Sequence, residues 1–182
     1  MTNPAVADNA ATDQVANRST RRALLGLGVA GAALAASRSV SAAPSGTDLA
    51  AFAISAELAA HDLYAEADGE LWEVLSESHR AFAERIAGIS GVSANTRNDE
   101  LYDSLAGAFA SGDPSGTALG LENALAATHT ELLGMVDDSA VLAVIASIIA
   151  SESRHAAVIA SQSGASLDAV LVNSAEPLSP EA

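Results

Sequence analysis

The sequence predicts an all-α fold, a four-helix bundle over residues 47–164 in which one long crossover joins the second helix to the third. Three observations carry this. Apolar residues recur at steps of three and four through four long stretches, the period of an amphipathic helix. Two tight turns, Asp68-Gly69 and Asp137-Asp138-Ser139, close two helical hairpins, and a connection rich in Gly, Ser, Asn and Asp between Ser90 and Thr117 links the hairpins. The halves also match: each carries a lone inward Glu in its first helix and an inward His in its second.

Residues 1–42 read as a leader. Ser19-Thr20-Arg21-Arg22-Ala23-Leu24-Leu25 resembles the twin-arginine export signal, and a Gly/Ala-rich apolar run from Ala23 to Ala36 follows it. That run falls short of the roughly 20 apolar residues a bilayer requires. Small residues at Val40-Ser41-Ala42-Ala43 suit cleavage after Ala42, the alternative being an uncleaved anchor. Pro44-Ser45-Gly46 is a short linker.

The first helix starts at an N-cap in Thr47-Asp48 and runs to about Ala67, where Asp68-Gly69 stops it. One of its stripes holds Leu49, Phe52, Ala56 and Leu63; the next holds Ala50, Ile54, Glu57, His61 and Tyr64. The second, about Glu70 to Ile89, has the clearest two faces, with Trp72, Leu75, His79, Phe82, Ile86 and Ile89 inward and Glu73, Glu77, Arg80 and Glu84 in water. Glu77 is about 200° round the helix from His79, so the inward residue three before that His is Ser76. A short helix is expected in the crossover from Asn98 to Ala110. The third long helix runs from Ala118 to Val136 with Leu119, Glu122, Ala126, His129 and Leu133 on one seam, and Asp138 caps the fourth. Beyond Ser163-Gly164 the periodicity fades; residues 165–182 form a C-terminal tail, expected to be disordered from Ala175.

Composition narrows the chemistry. The chain of 182 residues carries 23 acids against 8 basic residues, a formal charge of −15, and four of those basic residues (Arg18, Arg21, Arg22 and Arg38) lie in the leader. The remainder is therefore more acidic still, which disfavours nucleic acid and anionic lipid as partners of the mature form. With no cysteine, disulfides and thiolate sites are excluded, and any metal must be held by Asp, Glu and His.

The fourth helix is where chemistry shows. Val141, Ile145, Ile148, Glu152, His155 and Ile159 rise by alternating fours and threes, which puts a carboxylate and an imidazole on the apolar seam. An unpaired charge there costs several kcal/mol, roughly, unless a metal or a buried polar partner meets it. Counting at about 1.5 Å per residue from Asp68 brings Glu57 and His79 to the same height, and counting from Asp138 brings Glu122, Glu152 and His155 within about half a turn of level. Three carboxylates and two imidazoles then converge, a donor set suited to iron, manganese or zinc. His129 lies about two turns from Glu122 and reads as a core or rim histidine; His61 is either a ligand or a support for one. Tyr64 and Trp72 read as core.

On Glu57-Leu58-Ala59-Ala60-His61-Asp62-Leu63-Tyr64, Ser76-Glu77-Ser78-His79, Leu121-Glu122 and Glu152-Ser153-Arg154-His155-Ala156-Ala157, the chain resembles the exported bacterial ferritin-like domain family, relatives of desiccation-associated proteins in the ferritin-like superfamily. The resemblance covers about Asp48 to Ala160. It implies a metal site in which Glu57 and Glu122 are the lone carboxylates and Glu152 with His155 one Glu-x-x-His pair. The other pair is broken, because Ser76 stands where a Glu is expected before His79. A dimetal site with water in the gap, a mononuclear site on Glu122, Glu152 and His155, and a metal-free polar core all remain open. The resemblance further implies an exported protein of the cell envelope or exterior that binds one or two iron or manganese ions and oxidises metal or removes peroxide. The alternative is a non-enzymatic bundle with a degenerate site, acting in stress tolerance or partner binding. The first helix, apolar on two adjacent stripes, is a candidate homodimer surface.

Overall fold

Helix caps set the elements of this computed structural model, which describes residues 45–166 and 168–179; the expected leader at 1–42 lies outside the described residues. Ser45 opens α1 (Gly46–Ala65), its hydroxyl accepting from the Asp48 amide while the Asp48 carboxylate accepts from the Ser45 amide. The cap thus falls two residues before the expected Thr47, and Asp48 is the third member of a capping box. Gly69, at φ +129°, reverses the chain into α2 (Glu70–Ser90), which Gly91 ends in the left-handed conformation at φ +74°. Asn98 caps α3 (Asp99–Phe109). Next comes α4 (Ser115–Leu133), three residues earlier at each end than the periodicity predicts: Pro114, whose carbonyl accepts from Ala118, starts it, and Gly134 stops it. Asp138 accepts from the amides of Ala140 and Val141 to open α5 (Ser139–Ser163), which ends at Gly164, φ +70°. A single turn, α6 (Asp168–Leu171), follows. Among the described residues every regular element is helical.

The four-residue connection makes α1 and α2 antiparallel neighbours, and α4 and α5 pair in the same way. Contacts of α2 with α5 and of α1 with α4 join the two hairpins, while α3 packs on α1 and α4. Two apolar clusters result. One centres on Leu63, Tyr64, Leu75, Phe109, Leu121, Leu125 and Ile159, the other on Leu49, Ile54, Phe82, Ile86, Leu132, Ile145 and Ile148. On α1, α2 and α5 the polar array described below falls where one cluster gives way to the other, and on α4 it starts within the first cluster at Glu122 and reaches that boundary at His129. By length and mean hydropathy α5 would suffice to cross a membrane, yet it packs along α4 and α2 and buries Glu152 on its inward face.

The tail departs from expectation. Residues 173–179 run along α4: Asn173 donates from its side-chain amide to the Asn123 carbonyl at 2.8 Å, the Leu178 amide donates to the Thr128 hydroxyl at 2.8 Å, and Leu178 packs against the first cluster. Its low apolar content hides this, since polar contacts and one leucine hold it.

Candidate metal centre

Six side chains form the array. Glu57 of α1, His79 of α2, Glu122 and His129 of α4 and Glu152 of α5 are all fully buried, and His155 of α5 keeps 16% of its side chain exposed. His79 lies between two carboxylates, its Nδ1 2.7 Å from Glu57 Oε2 and its Nε2 3.0 Å from Glu122 Oε1. His129 Nδ1 lies 2.8 Å from Glu152 Oε1, and its Nε2 faces Glu57 Oε1 at 3.4 Å. His155 Nδ1 faces Glu122 Oε2, also at 3.4 Å. Tyr64, fully buried, donates its phenol proton to Glu122 Oε1 at 2.7 Å. Its ring is stacked between those of His79 and Trp72, with centroids 5.3 and 5.9 Å away.

All five residues predicted from the sequence, Glu57, His79, Glu122, Glu152 and His155, belong to this one array. The structure adds His129, which the count by helix height set aside. That count omits the lean of each side chain toward the N-terminus of its own helix. On antiparallel helices His129 leans away from the α4–α5 turn and Glu152 leans toward it, so the two meet although their Cα atoms stand at different heights. The available signal was the position of His129 on the Glu122 seam, seven residues on. His61 does not join the array; its Nδ1–H donates to the Ser76 carbonyl at 3.0 Å and lies 2.8 Å from the Ser76 hydroxyl. That hydroxyl donates to the His61 carbonyl, so Ser76 turns away from the array and contributes nothing to it.

Within the array burial and the opposite charges of its own members act against each other. Burial opposes a charged His79, but Glu122 and Glu57 outweigh it and hold the imidazole well above its ordinary pKa. Burial likewise opposes an ionised Glu122, yet His79 and His155 bring that carboxyl down to about 2. At Glu152 burial prevails over His129 and lifts the carboxyl to about 7. The Tyr64 phenol is pushed well above its usual value by burial and by Glu122, so it remains a donor. Among the described residues, Arg97 and Arg80 make their ion pairs with surface acids and leave the array to its own imidazoles.

Five buried side-chain atoms have no hydrogen-bond partner: Glu57 Oε1, Glu122 Oε2, His129 Nε2, Glu152 Oε2 and His155 Nδ1. Four of them face one another in two ion pairs at 3.4 Å, Glu57 Oε1 with His129 Nε2 and Glu122 Oε2 with His155 Nδ1, and Glu152 Oε2 has no hydrogen bond. A buried polar atom without a hydrogen bond costs about 1–3 kcal/mol, more when charged, so a cation between these groups would be well served. They sort into two groups, Glu57 with His129 and Glu152, and His79 with Glu122 and His155, in each of which three ligand atoms lie within 4.8 Å of one another. Carboxylate oxygen and imidazole nitrogen in this ratio fit iron, manganese or zinc. No family model, curated protein or solved structure matches the chain.

Proposed function

We propose that this chain is an exported ferritin-like protein, a four-helix bundle with α3 inside its long crossover, that binds iron or manganese in the core through Glu57, His79, Glu122, His129, Glu152 and His155. The observation that carries the reading is the set of five buried ligand atoms without a hydrogen bond, all on these six residues and sorted into two groups of metal-ligand spacing. Bound there, iron or manganese would supply an open coordination position and electrons for the reduction of oxygen or peroxide. The chain's own part is to bind and to exclude water. Glu57, Glu122 and Glu152 balance the cation charge, Tyr64 holds a proton at Glu122 Oε1, and Phe82, stacked at 5.9 Å on His155, narrows the one partly exposed edge.

Metal content by plasma mass spectrometry, on protein purified without chelator or metal-binding tag, tests this. One to two iron or manganese atoms per chain are expected. None, even after anaerobic loading with ferrous iron, would sink the reading. A second reading, a metal-free bundle whose acids are balanced by protonated imidazoles, draws on the hydrogen bonds that occupy both nitrogens of His79. Under it, Glu152→Ala changes no metal content and leaves stability unchanged or higher.

Export rests on the leader's likeness to a twin-arginine signal. Replacing Arg21 and Arg22 together by Lys should retain the unprocessed chain inside the cell, read by fractionation and by the N-terminus of the exported form; unchanged export would exclude that route.

A further inference from the structure

We propose that the array is not one symmetric centre but two unequal cation positions, filled in order: an inner one on Glu57, His129 and Glu152, loaded first and retained, and an outer one on His79, Glu122 and His155, loaded second and exchangeable. The inference rests on the metal-binding reading above and takes it further, to which residues hold which ion and how tightly.

Three independent features separate the positions. The first is charge. A divalent cation on two carboxylates and a neutral imidazole leaves no net charge in a core without a buried Lys or Arg, whereas one carboxylate and two imidazoles leave an excess of one positive charge. Burying net charge is costly, so the first ion is drawn to the two-carboxylate position. The outer ion, left with that excess charge, is the weaker of the two and enters second.

The second feature is preorganisation. In the inner group all three residues present a ligand atom without a hydrogen bond, namely Glu57 Oε1 and His129 Nε2, which face each other at 3.4 Å, and Glu152 Oε2. Their other polar atoms are already held, Glu57 Oε2 by His79 and Glu152 Oε1 by His129 Nδ1. In the outer group only Glu122 Oε2 and His155 Nδ1, 3.4 Å apart, are without a hydrogen bond, and His79 must give up its 3.0 Å bond to Glu122 Oε1 before its Nε2 can serve a cation. Only the outer position requires a hydrogen bond to be broken first.

The third is access. The inner residues are entirely enclosed, while His155 keeps 16% of its side chain in solvent. The outer ion therefore has the route by which chelators, water and small oxidants arrive. Tyr64, through Glu122 and its stacking on His79, also touches only the outer group. The Ser76 departure explains the asymmetry: no carboxylate comes from α2 to the outer side, and His129 adds a nitrogen to the inner side instead.

Titration of the metal-depleted full chain with Mn(II), followed by the loss of the free-ion paramagnetic resonance signal, separates these positions. Wild type should bind two ions in two steps at least tenfold apart in affinity, and a mild chelator should remove one ion and leave the other. His155→Ala should abolish or weaken the second step at least tenfold and leave the first unchanged. Glu152→Gln, matched in shape, should remove the tight step, with its far-ultraviolet circular dichroism confirming that the helices persist. Glu57→Gln should repeat that result if Glu152→Gln does not fold. Two ions of equal affinity, or His155→Ala and Glu152→Gln acting on the same step, would overturn the ordering while leaving the metal-binding reading intact. No Mn(II) or ferrous iron bound by wild type would end both.

Discussion

Tyr64 shows how much one side chain decides. Its phenol provides Glu122 Oε1 with a neutral donor at 2.7 Å, both residues being fully buried. Tyr64→Phe keeps the ring stacked between Trp72 and His79 and removes only that donor, so it should cost about 1–3 kcal/mol in urea unfolding. A larger loss would mean that the phenol also holds Glu122 in place. Sequence and structure part company most clearly at this scale. Glu57, His79, Glu122, Glu152 and His155 were legible because charged residues on an apolar seam contradict the pattern around them. His129 was not, because one histidine among leucines and alanines fits a core as well as a site, and its reach depends on side-chain lean across two helices. Ser76 stood out only against the pattern of the family the chain resembles, and its turn to His61 was not legible at all.

At the scale of elements, local chemistry sets the boundaries and long-range contact sets the tail. Asp138 and Gly164 bracket α5, the helix that carries Glu152 and His155. Asp138→Ala should cost about 1 kcal/mol by leaving the first-turn amides of α5 without their acceptor. The tail runs along α4, anchored by Asn173 and Leu178 at Asn123 and Thr128, the latter one residue before His129. Deleting residues 173–182 should lower stability by about 1–3 kcal/mol through the loss of two hydrogen bonds and the Leu178 contact. Hydrogen exchange should rise in the middle of α4 more than in α1 or α2. Unchanged exchange there would show that the tail contributes no restraint. Such a strap carries no periodic signal, which is why the sequence reads as disordered where the structure is held.

For the molecule as a whole, the proposed metal binding predicts that the array ties stability to pH in opposite senses with and without metal. His79, raised above its ordinary value, contributes stability that is fully present below pH 6.5 and lost as pH rises through its folded pKa. Glu152, raised from 4.5 to about 7, binds its proton more tightly in the fold, so its contribution also falls as pH rises between those values. Glu122, lowered to about 2, acts the other way, its contribution being lost as pH falls from 4.5 toward 2. The metal-depleted chain should therefore be most stable near pH 5 and lose several degrees of Tm by pH 8, since one pKa unit is worth about 1.4 kcal/mol and each kcal/mol moves Tm by about 4 °C. Cations compete with those protons, so the loaded chain should gain Tm over the same interval. Differential scanning calorimetry of both forms at pH 5, 6.5 and 8 checks the crossing. Parallel pH profiles would mean that the array binds no metal that matters to folding.

By itself, the sequence determined the helical class, the turns, the acidic surface and the presence of inward carboxylates and imidazoles, because caps and apolar periodicity are local and a charge on an apolar stripe is conspicuous. Only the tertiary structure decided which of those groups touch, since contact across helices depends on lean, height and packing that no single helix encodes. That is why one array of six residues, divided into an enclosed inner group and an outer group open at His155, emerges where the sequence offered five residues and a gap at Ser76.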